Sequence, residues 1–256
     1  KFFDIKCRRS GLVPSVAVVV ATIRALKLHS GRYTVKVGKP LPPEMLEPNP
    51  EHVREGCANL RVHIENVRRF GVPVVVALNG YPSDSPEELA VVREVARDAG
   101  AAGTALCDVF LRGGEGGLEL AELVATAVKR PPAVEFLYPL ELPIAEKIER
   151  IATAIYRADG IEISELAAEK IATFEANGFG DLPICMAKTP LSLSHDEKRK
   201  GVPTGYVLPI RDVRASVGAG FIYPIVGSTV TMPGLPSQPA AFEIDIDDEG
   251  NTVGLF

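Results

Sequence analysis

Hydrophobic and polar positions along this chain change period several times, and each change marks an element. The run Val74-Val-Val-Ala-Leu78 is apolar and mostly β-branched with no alternation, which predicts a strand covered on both faces, as in a parallel sheet. Two further apolar runs, over residues 12–22 and from Thr104 to Phe110, predict a second and a third buried strand. Between them the period lengthens to that of a helix. After Asn49, the apolar residues Val53, Cys57, Leu60, Ile64 and Val67 recur at alternating spacings of four and three, with Pro50 and Glu51 in the first turn and Gly71 as the stop. Ser85, Pro86 and Glu88 have the spacing of an N-cap, a first helical residue and the reciprocal acid of a capping box, so a helix opens there and stops at Gly100. Another helix is predicted over about residues 118 to 129. The Pro- and Gly-rich stretch from Gly31 to Pro50 predicts an ordered excursion with no long helix.

Strand alternating with helix requires right-handed crossovers and a parallel sheet, so the fold class is α/β, a mostly parallel sheet with flanking helices. All parallel strands end on one edge, and in open α/β sheets that edge is where ligands bind. Thr22 and Arg24, then Asn79, Tyr81 and Asp84, then Asp108 and Phe110, are therefore predicted to line one crevice. Past Pro131-Pro132 the pattern changes to two amphipathic helices, about 143–157 and 164–177. After Leu182 come short apolar runs broken by Pro and Gly. We expect a parallel α/β domain carrying the sheet-edge crevice over residues 1–140 and a smaller α+β domain over 141–256.

Composition narrows the partners. Lys and Arg number 28 against 33 Asp and Glu, a net charge of −5, which gives no reason to expect nucleic acid or a membrane surface. Cys7, Cys57, Cys107 and Cys185 are far apart and form no C-x-x-C pair, so neither a zinc site nor a disulfide framework is expected, and a reducing, cytoplasmic setting is. No apolar run reaches the roughly 18 to 20 residues of a membrane span. The chain opens at Lys1 on Lys-Phe-Phe-Asp-Ile-Lys-Cys, which reads as the interior of an element and predicts a piece of a cut or split protein.

Among candidate groups, Tyr81 and Phe110 each follow a buried strand and point to a slot for a flat heterocycle, or else to rim packing under a loop. Arg112-Gly-Gly-Glu-Gly-Gly117 ahead of a helix offers free N–H groups to an anion, or is a flexible turn; Glu115 and the spacing both fall outside the known phosphate loops. Arg211 and Arg214, followed by Ser216, Gly218 and Gly220, either hold an acidic ligand or form surface ion pairs. Lys188 and Thr189 end another apolar run. His52 and His63 are eleven residues apart rather than four, so the histidines read as structural or surface residues, and no metal site is expected.

Several of these segments together resemble the formate–tetrahydrofolate ligase family. They are Lys1 to Arg8, Val18 to Lys27, Val72 to Asp84, Gly113 to Gly117, Leu182 to Thr189, Pro203-Thr-Gly205, Gly218 to Phe221, Met232-Pro-Gly-Leu-Pro236 and Gly254-Leu-Phe256. The resemblance implies an ATP-dependent ligase that phosphorylates formate to formyl phosphate and transfers the formyl group to N10 of tetrahydrofolate. ATP with Mg, tetrahydrofolate and a monovalent cation are the ligands it implies, and a homo-oligomer is expected. It implies also that this is the C-terminal half of the enzyme, inactive alone, with the lysine-bearing phosphate loop on an N-terminal partner segment. By the same resemblance, folate falls on Tyr81, Pro82, Asp84 and Phe110. Thr22, Arg24, Lys27 and Gly31 fall at the formyl phosphate, and Arg211, Arg214, Ser216, Gly218 and Gly220 at nucleotide or the folate tail. The sequence departs from the family pattern at four points: Tyr81 stands where phenylalanine is common, Phe110 where tryptophan is, Gly80 where a longer side chain is, and Pro190 where glutamine is. Two other readings are a non-catalytic folate- or nucleotide-binding or assembly module, and an unrelated small-molecule enzyme on the same sheet type.

Overall fold

The computed structural model describes residues 1–36, 39–229, 237–250 and 252–254. Met232 to Pro236, with Leu255 and Phe256, lie outside the described residues. The predicted alternation forms as β1 (Ala17–Ala21), α1 (Ile23–His29), α2 (Pro50–Arg68), β2 (Val74–Asn79), α3 (Pro86–Asp98), β3 (Gly103–Cys107) and α4 (Leu118–Ala127). The three strands are parallel in the order β1-β2-β3, with Val19 opposite Val76 and Val76 opposite Thr104.

This order explains the burial. β2 is central, and Val74 to Leu78 are buried on both faces, as an unalternating run requires. β1 corrects the expectation of a second buried strand. It is shorter than the 12–22 run and lies at the edge, with Val18 42% and Val20 65% exposed, because the described helices pack on only one of its faces. The third strand also ends earlier than predicted. The chain leaves the sheet after Cys107, and Val109–Arg112 forms a helical turn in which the Leu111 and Arg112 amides both donate to the Asp108 carbonyl.

The helix caps follow the sequence. Asn49 accepts from the His52 amide at 3.0 Å, and Ser85 and Glu88 complete the capping box reciprocally. α2 buries Val53, Cys57, Leu60 and Ile64 against β1, β2 and α3. Its closest approach is to α1, where a Cβ on Gly56 would lie 1.8 Å from the Leu26 carbonyl oxygen.

A second hydrophobic cluster is built from α5 (Ile144–Ala154), β4 (Gly160–Ile163), α6 (Glu165–Ala176), β5 (Val207–Ser216) and β6 (Phe221–Val226). Its sheet is mixed: β4 runs parallel to β5, which pairs antiparallel with β6. A separate two-stranded hairpin follows, β7 (Asp245–Ile246) with β8 (Thr252–Val253). The whole is an α/β fold with one parallel sheet flanked by helices, and further smaller sheets. Polar ties join the two clusters: Arg157 pairs with Glu65 at 2.8 Å, and the Asn66 amide donates to the Ile155 carbonyl at 2.9 Å. Arg8 ties the N-terminal segment to the second cluster, donating to the Asp4 carboxylate and to the Tyr138 carbonyl.

One ion pair is fully buried within the first cluster. The Lys27 ammonium lies 2.6 Å from Glu88 and donates also to the carbonyls of Met45 and Glu47 at 3.1 and 2.7 Å. Glu88 in turn accepts from the amides of Asn49 and Ser85 at 2.7 and 3.0 Å. Burial alone would raise the Glu88 carboxyl, but the Asn49 amide, the Lys27 ammonium and the Ser85 amide outweigh it and hold it below the usual range. Its contribution to stability is thus complete above the ordinary value of 4.5 and lost as pH falls through the lower folded value. Removing one partner strands the other charge. Lys27→Met in the full-length protein is expected to cost about 3–5 kcal/mol in urea unfolding, with part recovered in Lys27→Met/Glu88→Leu. A loss under about 1 kcal/mol in the single variant would show that the pair is not the fixing element.

Candidate functional site at the parallel sheet edge

The exits of β1, β2 and β3 lie on one edge, as the parallel register requires. At the β1 exit, Thr22 caps α1, its hydroxyl oxygen accepting from the Ala25 amide at 3.1 Å. Arg24 sits on the first turn of α1 and reaches across to the β2 exit, where its guanidinium carbon stands 3.9 Å from the centre of the Tyr81 ring. Arg24 Nε is buried and has no hydrogen-bond partner. Lys27, one turn on, points inward to Glu88 and is 2% exposed. Gly31 ends the segment at φ +79°, a backbone conformation that favours glycine.

At the β2 exit the chain turns on itself. The Tyr81 amide donates to Asp84 Oδ2 at 2.9 Å, and the Asp84 amide donates back to the Tyr81 carbonyl at 3.0 Å. Burial raises the Asp84 carboxyl above its ordinary range and Glu88 adds to this, against the Tyr81 amide, Arg24 and Lys27, which lower it. Tyr81 and Pro82 are exposed at the tip. Gly80 donates to the Cys107 carbonyl at 3.1 Å, and a Cβ there would stand 2.7 Å from Leu106 Cδ1, so a longer side chain at this position requires Leu106 to move.

The β3 exit carries Phe110 on its helical turn, 94% exposed. Val109, Leu111 and Leu118 are exposed beside it. Gly113–Gly117 forms a 3₁₀ turn whose Gly116 carbonyl accepts from the Asp108 amide, while Arg112 pairs with the Asp108 carboxylate at 3.2 Å. A Cβ on Gly116 would lie 2.4 Å from the Asp108 carboxylate, so this glycine serves close packing of the turn.

The second set of residues assembles elsewhere. Arg211 donates to the Thr229 carbonyl, and Arg214 shares Asp212 with Lys170. Ser216, Gly218 and Gly220 form the tight turn between β5 and β6, with Gly220 at φ +74° against Arg9. Among the described residues, no hydrogen bond, ion pair or ring contact links these residues to the edge of the first sheet. Lys188 is held within its own loop by the carbonyls of Thr189, Ser192 and Ser194, and burial pushes its ammonium down to about 8. A cavity of about 430 Å³ lies between the two clusters, lined by Phe3, His63, Asn66, Tyr156, Cys185 and Met186 among others, and not by the strand exits. Among the described residues no helix is long and apolar enough to cross a membrane, and no group of three or more His, Cys, Asp or Glu could hold a metal ion.

Sequence reasoning placed Tyr81, Arg24 and Phe110 on one edge but missed two features. The Arg24–Tyr81 contact depends on side-chain reach across neighbouring strands. Glu88 was read only as a capping-box acid, although a lysine one turn into the helix after the edge strand is a signal that such an acid has a partner.

The formate–tetrahydrofolate ligase family model matches residues 1–256. The chain belongs to the formate–tetrahydrofolate ligase family. A formate–tetrahydrofolate ligase of Herpetosiphon aurantiacus is 59% identical over 256 residues, and one of Chloroflexus aggregans is 58% identical over 258. Each alignment takes in 100% of this chain and 45% of the relative. Formate–tetrahydrofolate ligase 3 of Rubrobacter xylanophilus is 52% identical over 265 residues, with 100% of this chain and 46% of the relative covered. The chain thus spans about half the length of the curated relatives it matches.

Phe110 makes few contacts that folding could depend on. Phe110→Ala is expected to change unfolding free energy by no more than about 0.5 kcal/mol, as at other exposed sites, measured by urea titration of the full-length protein. A larger loss would mean that the ring packs against another part of the protein.

Proposed function

We propose that this chain is the C-terminal segment of an ATP-dependent formate–tetrahydrofolate ligase that makes 10-formyltetrahydrofolate through formyl phosphate. A formate oxygen attacks the γ-phosphorus of ATP, giving formyl phosphate and ADP. N10 of tetrahydrofolate then attacks the formyl carbon, expels phosphate and loses its proton. What supports this reading is the family match over all 256 residues, together with the Arg24–Tyr81 contact and the position of Phe110 at the neighbouring strand exit. Such chemistry depends on positioning and on electrostatic stabilisation of an anionic intermediate more than on a side-chain nucleophile.

Within this segment we assign Tyr81 and Phe110 to the pterin ring and Asp84 to its amino group, with Pro82 beside the slot. Thr22, Arg24 and Gly31 flank the acyl phosphate. Lys27 supports this region from behind through Glu88. Arg211, Arg214, Ser216, Gly218 and Gly220 are assigned to nucleotide or the polyglutamate tail on the 141–256 domain, and the crevice to the 1–140 domain. The remaining polypeptide of the enzyme is assigned the Gly-rich, lysine-bearing loop that holds ATP. Mg enters on the nucleotide. A monovalent cation, a homo-oligomeric assembly and a cytoplasmic setting complete the proposal.

The test is formation of 10-formyltetrahydrofolate from formate and ATP by the full-length enzyme carrying this segment. Tyr81→Ala and Phe110→Ala are each expected to weaken tetrahydrofolate binding by roughly 2- to 12-fold, the worth of one stacked ring, with the KM for formate unchanged. Unchanged affinity in either variant removes that ring from the slot. Folate binding without turnover in the complete protein would favour a binding module instead.

A further inference from the structure

The cations at the three strand exits are not equivalent. Lys27 is neutralised by Glu88 and caged by two carbonyls, and Arg112 is paired with Asp108. Arg24 has neither kind of partner: among the described residues it makes no hydrogen bond and no ion pair. Its Nε is buried and unsatisfied. The nearby acid, Asp84, stands beyond ion-pair distance and spends Oδ2 on the Tyr81 amide. The contact that holds the Arg24 guanidinium is the face of the Tyr81 ring, at 3.9 Å. Buried polar groups are ordinarily satisfied, and leaving one unmade costs free energy unless a ligand completes it.

A guanidinium can use its face and its edge at the same time. The face stacks on aromatic rings, while the N–H donors lie in the plane and match the oxygens of a phosphoryl or carboxylate group. We propose that Arg24 works in both ways: its face backs Tyr81 and its edge takes the phosphoryl oxygens of the acyl phosphate, so that anion and flat ring bind cooperatively. This rests on the ligase reading above and adds to it a coupling between the acyl phosphate and tetrahydrofolate. An anion on the edge fixes the guanidinium, the fixed guanidinium restrains the Tyr81 ring, and a restrained ring loses less freedom when the pterin stacks on it. By linkage the pterin must tighten anion binding by the same factor.

The experiment uses the full-length enzyme with MgADP saturating the nucleotide site and inorganic phosphate as the probe. Calorimetry gives the Kd of phosphate, and the Kd of tetrahydrofolate with and without phosphate. In the wild type, phosphate is expected to tighten tetrahydrofolate binding by about threefold or more, within the usual range of coupling between sites. Arg24→Leu is expected to weaken phosphate by about tenfold or more, the worth of charge-assisted hydrogen bonds, and to abolish the coupling. Arg24→Lys keeps the charge but not the planar fork, so it should retain part of the phosphate affinity and lose the coupling. Thermal melts of both variants check folding, and the lysine variant decides the matter where the leucine one fails to fold. Phosphate affinity within twofold of wild type in Arg24→Leu, or coupling that persists in Arg24→Lys, would overturn the proposal. Wild-type enzyme that binds no tetrahydrofolate marks failure of the ligase reading; wild type that binds both ligands, with the variants unchanged, marks failure of the Arg24 role alone.

Discussion

The buried Lys27–Glu88 pair is the constraint on which the sheet edge depends. Four segments end on it, the second and third adjoining in sequence: α1 through Lys27, the Pro-rich excursion through the carbonyls of Met45 and Glu47, the cap of α2 through the Asn49 amide, and the cap of α3 through Ser85. A buried ion pair is poor evidence of net stabilisation, because desolvation of both charges offsets much of their attraction. Its value here is geometric. Each added donor satisfies one more lone pair of Glu88, so the carboxylate can remain charged only in the arrangement that brings all four segments together. That arrangement also sets the start of α1, which carries Arg24, relative to the start of α3, which follows Tyr81.

Much of this was legible in the sequence, for physical reasons that apply at particular residues. Val74 to Leu78 shows no alternation because β2 is central and buried on both faces, and Asn49 and Ser85 announce helix starts because their side chains satisfy free amides. What periodicity cannot report is which face of a strand is left uncovered. Residues 12–22 look as apolar as β2, yet Val18 and Val20 are exposed because the described helices pack only on the other face of β1. The early end of β3 was hidden likewise. Val109 and Phe110 continue an apolar run, but the Asp108 carbonyl gathers the next amides into a helical turn and carries Phe110 off the strand.

The shared edge of the three strand exits is legible in the sequence, and the environments of the residues on it are less so. Strand exits in a parallel sheet must share an edge, so the grouping of Arg24, Tyr81 and Phe110 follows from topology alone. The roles depend on which charges find partners, and sequence does not reveal that for residues three apart on one short helix. Arg24 and Lys27 are both cations at the same exit, but one faces a ring and the other an acid.

That difference has a physical origin. Lysine carries a compact ammonium whose three donors can be satisfied by a small cage, and Lys27 finds one carboxylate and two carbonyls in the interior. Arginine has a broad, weakly hydrated plane that tolerates an aromatic neighbour and keeps its donors available at the edge. With the positions exchanged, a lysine over Tyr81 would lose the planar contact, and a guanidinium beside Glu88 would have more donors than the cage has acceptors. The assignment of the two cations is therefore dictated by shape as well as by charge. It leaves the sheet edge with one cation fixed as structure and one, among the described residues, with its hydrogen bonds still to be made.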